Sequence, residues 1–132
     1  MENMSTPTGL IFSRQNIANL PAGTDYEQAT KGAYIVAGSD ENPDVILVAS
    51  GSEVATLVAG TELLRKDGIK VRIVSAPSEG LFRSQPKEYQ ESILPSEAKI
   101  LRSDCRFACH YFQGLVGCHG KVWGLESFGF SA

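Results

Sequence analysis

The chain has 132 residues, 42% of them hydrophobic and 20% charged, which is the balance of one globular domain and excludes a disordered chain. Its 12 Lys and Arg against 15 Asp and Glu leave a net charge of −3, which argues against a general nucleic-acid binder because phosphate contacts require clustered cations. No apolar run approaches the roughly 20 residues of a membrane-spanning helix, and residues 1–9 lack the features of a secretion signal. We therefore expect no nucleic acid and no membrane among the partners.

The first 30 residues divide into two parts. Residues 9–13, GLIFS, form a short apolar run that predicts a buried strand. Residues 14–30 are polar and contain Pro21 and Gly23, so we interpret them as a linker or a loop that crosses a surface. The three cysteines of the chain cannot all pair with one another, and reduced thiols in a cytoplasmic protein are the simplest interpretation.

Three strands are predicted between residues 33 and 74. Residues 33–37 form a β-rich run that ends in a turn cluster, and residues 45–49, VILVA, form the next run. Because VILVA is apolar at every position, we expect it to be covered on both faces, as in a parallel sheet between helix layers. Residues 71–74 predict the third strand, and with the helix between them the last two strands make a right-handed βαβ unit.

Residues 54–66 have the apolar spacing of a helix. Ser50 and Glu53 lie at the spacing of a capping box, and Gly68 is placed where a glycine would end the helix. The turn at residues 50–52 has backbone N–H groups that can hold an anion at a helix N-terminus. No glycine-rich nucleotide motif accompanies it, so we interpret these residues as a cap.

The second half of the chain predicts one more helix and two strands. Residues 85–93 form the helix, with Pro86 in its first turn. Residues 99–101 begin a strand, and residues 122–126, together with Phe128, predict the last one. The fold class is therefore α/β, a three-layer αβα arrangement with a mostly parallel five-stranded sheet.

Cysteine and histidine residues near the end of the chain are the candidates for a metal site. They are Cys105, Cys109, His110, Cys118 and His119. They offer enough ligands for a tetrahedral Zn²⁺ site, in which case the chain would be a small metal-binding regulatory module. Their spacing matches no familiar zinc module and the apolar core needs no metal to fold, so we favour an assignment without metal. The histidines could also act as general bases, but no nucleophile with a recognisable motif accompanies them.

Arg14 is the candidate for a binding residue. It directly follows the apolar run of residues 9–13, so it would lie at the carboxyl end of a strand, the edge where open α/β sheets bind ligands. A guanidinium there can hold a phosphate or a carboxylate through two parallel hydrogen bonds, which lysine cannot reproduce. On these residues alone, a solvated surface arginine remains the stronger interpretation.

Five stretches of the chain together resemble the C-terminal part of transketolase, in family order and spacing. They are LIFSRQNIANLP, KGAYIVAG, DVILVASGSEV, LLRKDGIKVRIVSAPSEGLFRSQPKEYQESILP and GKVWGLESFGFSA. The resemblance covers nearly the whole chain apart from residues 100–112, where the family has a strand and a glycine-rich turn. One hypothesis for residues 100–112 is a pair of compensating frameshifts, since a shifted reading can give SYGLTAGLPVT, which looks like that strand and turn.

The resemblance implies a homodimeric, cytoplasmic enzyme of the pentose phosphate pathway that moves a two-carbon ketol unit between sugar phosphates. Its cofactors would be thiamine diphosphate and Mg²⁺ or Ca²⁺. Residues 1–20 would be the tail of the pyrimidine-binding domain and the connector, and residues 21–132 the C-terminal domain without its final helical segment. Arg14 aligns with the family's SRQ arginine, which contacts the substrate phosphate.

No other functional residue of the family carries over to this chain, because the residues that bind and activate the cofactor lie upstream. The resemblance therefore implies no catalytic, cofactor-binding or metal-binding residue here, and an isolated chain without ketol-transfer activity. The partners it implies are the remaining transketolase domains and a second subunit. The open alternatives are another thiamine-dependent enzyme with the same domain, either deoxyxylulose phosphate synthase or the beta chain of a 2-oxoacid dehydrogenase, and the Cys/His module described above.

Overall fold

The computed structural model describes residues 16–22, 24–38, 42–98, 100–104 and 120–124, together with the single positions 7, 9, 14, 115 and 116. Within these residues, a 3-10 helix at Tyr26–Lys31 precedes five strands and three α-helices. The strands are β1 (Tyr34–Ala37), β2 (Val45–Ala49), β3 (Val71–Ser75), β4 (Ile100–Asp104) and β5 (Lys121–Gly124). The helices are α1 (Glu53–Lys66), α2 (Glu79–Arg83) and α3 (Lys87–Ile93).

The sheet is mixed, with the strand order β1-β3-β2-β4-β5. The strands β2 and β3 pair in parallel from Val45↔Val71 to Ala49↔Ser75, and the pairs β2–β4 and β4–β5 are also parallel. The edge strand β1 runs antiparallel to β3, with a register shift between Ile35 and Ala37. The α/β class is therefore confirmed.

The helix α1 covers one face of the sheet. Its apolar side packs with alternate residues of β1, β2 and β3, so that β2 and its neighbour β3 are covered from this side. This apolar cluster contains, among others, Tyr34, Val36, Leu47, Ala49, Val54, Val71 and Ile73. The second cluster lies on the opposite face, under α2 and α3, and includes Ile46, Val48, Val74, Phe82 and Ile93. The prediction that VILVA is covered on both faces is thus confirmed.

The ends of α1 test two predictions. The prediction that Ser50 and Glu53 form a capping box is wrong. Ser52 is the residue that precedes the helix, and its side chain makes no capping bond, while Ser50 is buried in the turn. The Ser52 hydroxyl instead donates to Glu53 Oε1 at 3.0 Å. The prediction that Gly68 ends the helix is confirmed. Gly68 has φ +78°, and the amides of Gly68 and Ile69 donate to the carbonyls of Arg65 and Leu64, respectively, in a Schellman motif.

Two short elements differ from the predictions. The segment 14–30 is not entirely a loop, because Asp25 caps the 3-10 helix by accepting a hydrogen bond from the Glu27 amide. The helix α2, between β3 and α3, was not predicted, and its N-terminus is capped by Ser78. The predicted helix at residues 85–93 begins at Lys87, with Pro86 at its N-cap. The 3-10 helix and α2 are too short to show the periodic apolar spacing from which a helix is predicted.

The C-terminal half is only partly tested. The strand predicted to begin at residue 99 is confirmed as β4. The last predicted strand is present as β5, from Lys121 to Gly124, and its remaining predicted residues lie outside the described part of the chain. Of the helices in the described part, none combines the length and the hydropathy needed to cross a bilayer.

Candidate functional site: the connector and Arg14

Arg14 lies at an exposed bend of the chain. The predicted strand at residues 9–13 is described only at Gly9, which is also exposed, so the prediction of a buried strand lies outside the described residues. The side chain is therefore available to solvent in this structure, and the described segment nearest to it in the chain follows one residue later. That segment, which we call the connector, comprises residues 16–21.

The connector lies against the first two turns of α1. Residues 18–21 line one side of a small apolar groove, and Ala55, Val58 and Ala59 line the other side. The groove has a volume of about 160 Å³. Leu20 is half-buried and packs on the cluster beneath α1, whereas Ile17 remains 51% exposed. The connector is thus anchored at its C-terminal end, and its other end leads towards Arg14.

A hydrogen-bonded turn closes the connector at Thr24. The Pro21 carbonyl accepts from both the amide and the hydroxyl of Thr24, at 3.2 and 2.7 Å. The same hydroxyl lies 3.3 Å from the Val36 carbonyl on the edge strand β1. The turn is therefore tied to the sheet as well as closed on itself.

The 3-10 helix after this turn is tied to α3 through Tyr89. The Tyr89 hydroxyl donates to the Ala33 carbonyl at 2.8 Å, and Lys31 Nζ lies 4.5 Å from the centre of its ring. Burial, with a smaller contribution from the negative charge of Asp25, raises the pKa of Tyr89 above its usual value. The phenol is thus neutral at physiological pH and available as a donor.

The turn before α1 is a poor anion site. Glu53 places a carboxylate in the first turn of the helix, where an anion would otherwise be favoured by the helix dipole. Its Oε2 is buried and has no hydrogen-bond donor within the described part of the chain. A second negative charge there would be repelled, so the arrangement supports a structural role for this turn.

The five cysteine and histidine residues considered for zinc all lie outside the described residues. Within the residues that are described, no three His, Cys, Asp or Glu side chains are grouped so that they could hold a metal ion.

Comparison with known proteins agrees with this architecture. The family described as the transketolase-like TK C-terminal domain matches residues 32–132. Transketolase 2 of Vibrio parahaemolyticus is 38% identical over 133 residues, and a Staphylococcus aureus transketolase is 39% identical over 137 residues. Both alignments cover 100% of this chain but only 20% of the relative.

Solved structures give the same result. A Pichia stipitis transketolase in complex with sedoheptulose 7-phosphate superposes with a TM-score of 0.75 at 34% identity, covering 88% of this chain and 16% of that one. The fold therefore defines an α/β domain of the transketolase C-terminal class. The chain belongs to the transketolase family, and it spans about one fifth of the length of the curated relatives it matches.

Sequence reasoning identified Arg14 but missed the contacts that anchor its connector. The Thr24 hydroxyl bonds to the Val36 carbonyl in β1 and the Tyr89 hydroxyl to the Ala33 carbonyl just before β1, and no motif marks such long-range acceptors in advance. One signal was present, since Asp25 and Gln28 have the spacing of a capping box, and Gln28 Nε2 donates to Asp25 Oδ2 at 2.9 Å.

Proposed function

We propose that this chain is the C-terminal domain and connector of a transketolase, which transfers a two-carbon ketol unit between sugar phosphates in the pentose phosphate pathway. The observation that carries the proposal is the alignment of the entire chain with transketolases at 38–39% identity. A structural relative in complex with sedoheptulose 7-phosphate supports the substrate class. We extend to this chain the domain division at residues 20 and 21, a cytoplasmic location and assembly as a homodimer.

Within this function Arg14 binds the phosphate of the sugar. An exposed guanidinium can present two parallel N–H groups to phosphate oxygens. The remaining domains would hold thiamine diphosphate and its divalent metal, since the described residues here offer no ligand group for it. When bound, that cofactor supplies the carbanion chemistry of ketol transfer. This chain would bind and orient the phosphate end of the substrate.

A chimera tests the proposal directly. The C-terminal fifth of the Staphylococcus aureus transketolase is replaced by these 132 residues, and ketol transfer from xylulose 5-phosphate to ribose 5-phosphate is measured. We expect activity within about tenfold of the parent enzyme, because the fold of the replaced part is retained. The isolated chain should give no turnover. Turnover by the isolated chain, or a chimera that folds as a dimer but is inactive, would contradict the proposal.

A further inference from the structure

An apolar strip lies on the outer side of α1, next to the connector. Among the described residues that line the groove between the two segments, only Asn19 has a polar side chain. Ala55 and Ala59 line the groove from one row of the helix, and Leu63, the next residue of that row, is 66% exposed. Ile17 of the connector is about half exposed. We call the groove, together with Ile17 and Leu63, the connector surface.

The connector surface holds half of the exposed large apolar side chains of the described residues. Four such side chains are exposed, and the two outside this surface are Leu81 on α2 and Trp123 on β5. Single exposed apolar residues are common, whereas apolar residues grouped around a groove indicate an interaction site. The small side chains of Ala55 and Ala59 allow another element to approach α1 closely.

The comparison with relatives indicates what covers this surface. The alignments leave four fifths of each relative outside the matched part, and the matched family is a C-terminal domain, so most of the remainder precedes it. The connector leads towards that remainder, because residues 16–19 are exposed while Leu20 packs on the cluster beneath α1. Six extended residues span at most about 20 Å, so the polypeptide that precedes the connector starts close to the groove.

We propose that the connector surface is the docking site of the domain that precedes the connector in the same subunit. This rests on the proposed function, which identifies that domain as the pyrimidine-binding domain of a transketolase. Interfaces between domains of one chain bury about 600–1,500 Å², so the groove is the apolar centre of a wider contact that also covers Ile17 and Leu63. The contact fixes the orientation of the C-terminal domain, which a connector alone would leave free to rotate.

Cysteine alkylation measures whether the surface is covered. Ala59→Cys places a thiol in the groove, at a residue that is exposed in the chain itself. Leu81→Cys is the control, since Leu81 is 50% exposed and belongs to α2 on the opposite face of the sheet. Both variants are made in the chain itself and in the chimera with the Staphylococcus aureus enzyme, and transketolase 2 of Vibrio parahaemolyticus serves as a second host. The reaction of each introduced cysteine with iodoacetamide is followed by peptide mass spectrometry.

The alkylation rates have a defined expected result. Ala59→Cys should react at least about tenfold more slowly in the chimera than in the chain itself, because its thiol reacts only when the domains separate. Leu81→Cys should react at the same rate in both. Equal rates for Ala59→Cys in the chain itself and in the chimeras would overturn the inference.

Cross-linking identifies the element that covers the surface. Leu63→Cys in the chimera is coupled to a benzophenone maleimide and irradiated, since Leu63 lies at the exposed end of the strip. The expected product has the mass of one subunit and is joined to a peptide of the preceding domain. A product that joins two subunits, or no cross-link to the preceding domain, would overturn the proposal, as would slow alkylation of Ala59→Cys in concentrated samples of the chain itself, which would indicate a second copy.

Failure of the proposed function has a different signature. A dimeric chimera that is inactive, but in which Ala59→Cys is protected, would contradict the function and leave the docking site in place. An active chimera in which Ala59→Cys reacts as fast as in the chain itself would overturn the docking site alone.

Discussion

The two faces of the sheet are covered in different ways. On one face the single helix α1, Glu53–Lys66, packs through an apolar side of regular period and ends in a Schellman motif. On the other face the short helices α2 and α3 are held by specific polar contacts, such as the bonds from Arg72 Nη1 to the carbonyls of Ser92 and Ile93 at 3.2 and 3.3 Å. The first face is covered by the regularly spaced apolar residues of one helix, whereas the helices on the second face also depend on hydrogen bonds from individual side chains.

This difference explains what the sequence could predict. The period of α1 and the apolar run of β2 are local signals that burial enforces, so both were predicted almost to the residue. By contrast α2 has only five residues and depends on the Ser78 cap and on the burial of Phe82. Both depend on how the chain is folded, so the local sequence did not predict this helix. No residue pattern predicted the antiparallel direction of β1 or the register shift between Ile35 and Ala37.

The candidate site likewise combines a residue that the sequence predicts with contacts that it does not predict. Arg14 became a candidate through its position after an apolar run and through the resemblance. The contacts beyond its connector include pairs that lie 12 and 61 positions apart, Thr24 with Val36 and Tyr89 with Gln28. Composition and spacing carry no information on such pairs. The binding role of Arg14 therefore stays a prediction, and the structure adds the contacts made by the residues that follow it.

The largest effect is expected from Phe82→Ala on the second face. Phe82 is 2% exposed, and its ring meets that of Tyr89 edge to face at 6.2 Å. Its removal leaves a cavity under α2, so the free energy of unfolding should fall by about 3–5 kcal/mol, measured by urea denaturation. Leu81→Ala on the same helix is the control, because Leu81 is 50% exposed. An equal loss in both variants would contradict the specific role of this ring.

The next prediction compares alanine substitutions at two glycines, Gly32 and Gly60, whose effects on stability should have opposite signs. Gly32 has φ +90°, and an added Cβ would lie 2.4 Å from both the Phe82 amide nitrogen and the Ser78 carbonyl oxygen. Gly32→Ala should therefore lower the free energy of unfolding by about 3 kcal/mol, through strain and the displacement of α2. Gly60 in α1 has nothing within 4 Å of an added Cβ, so Gly60→Ala should raise stability by about 0.5–1 kcal/mol. Thermal unfolding of both variants checks the opposite signs.

A smaller effect is expected from Tyr89→Phe, which removes the hydrogen bond to the Ala33 carbonyl. The free energy of unfolding should fall by about 1 kcal/mol at neutral pH. Because the folded state raises the pKa of Tyr89 above 10.0, the neutral phenol is favoured on folding, and its contribution is complete below pH 10 and is lost as the pH rises through the folded pKa. The difference between wild type and Tyr89→Phe should therefore shrink above pH 10. A difference that stays constant to pH 12 would contradict this account.

The central claim, that this chain supplies the phosphate-binding arginine of a transketolase, is tested most directly by Arg14→Gln in the chimera. Loss of a charge-assisted contact should raise the KM for ribose 5-phosphate roughly ten- to hundredfold, with kcat and the KM for ribose nearly unchanged. Arg65→Gln is the matched control, since Arg65 is an exposed arginine in the last turn of α1. Equal KM values for ribose 5-phosphate in wild type and Arg14→Gln would contradict the claim.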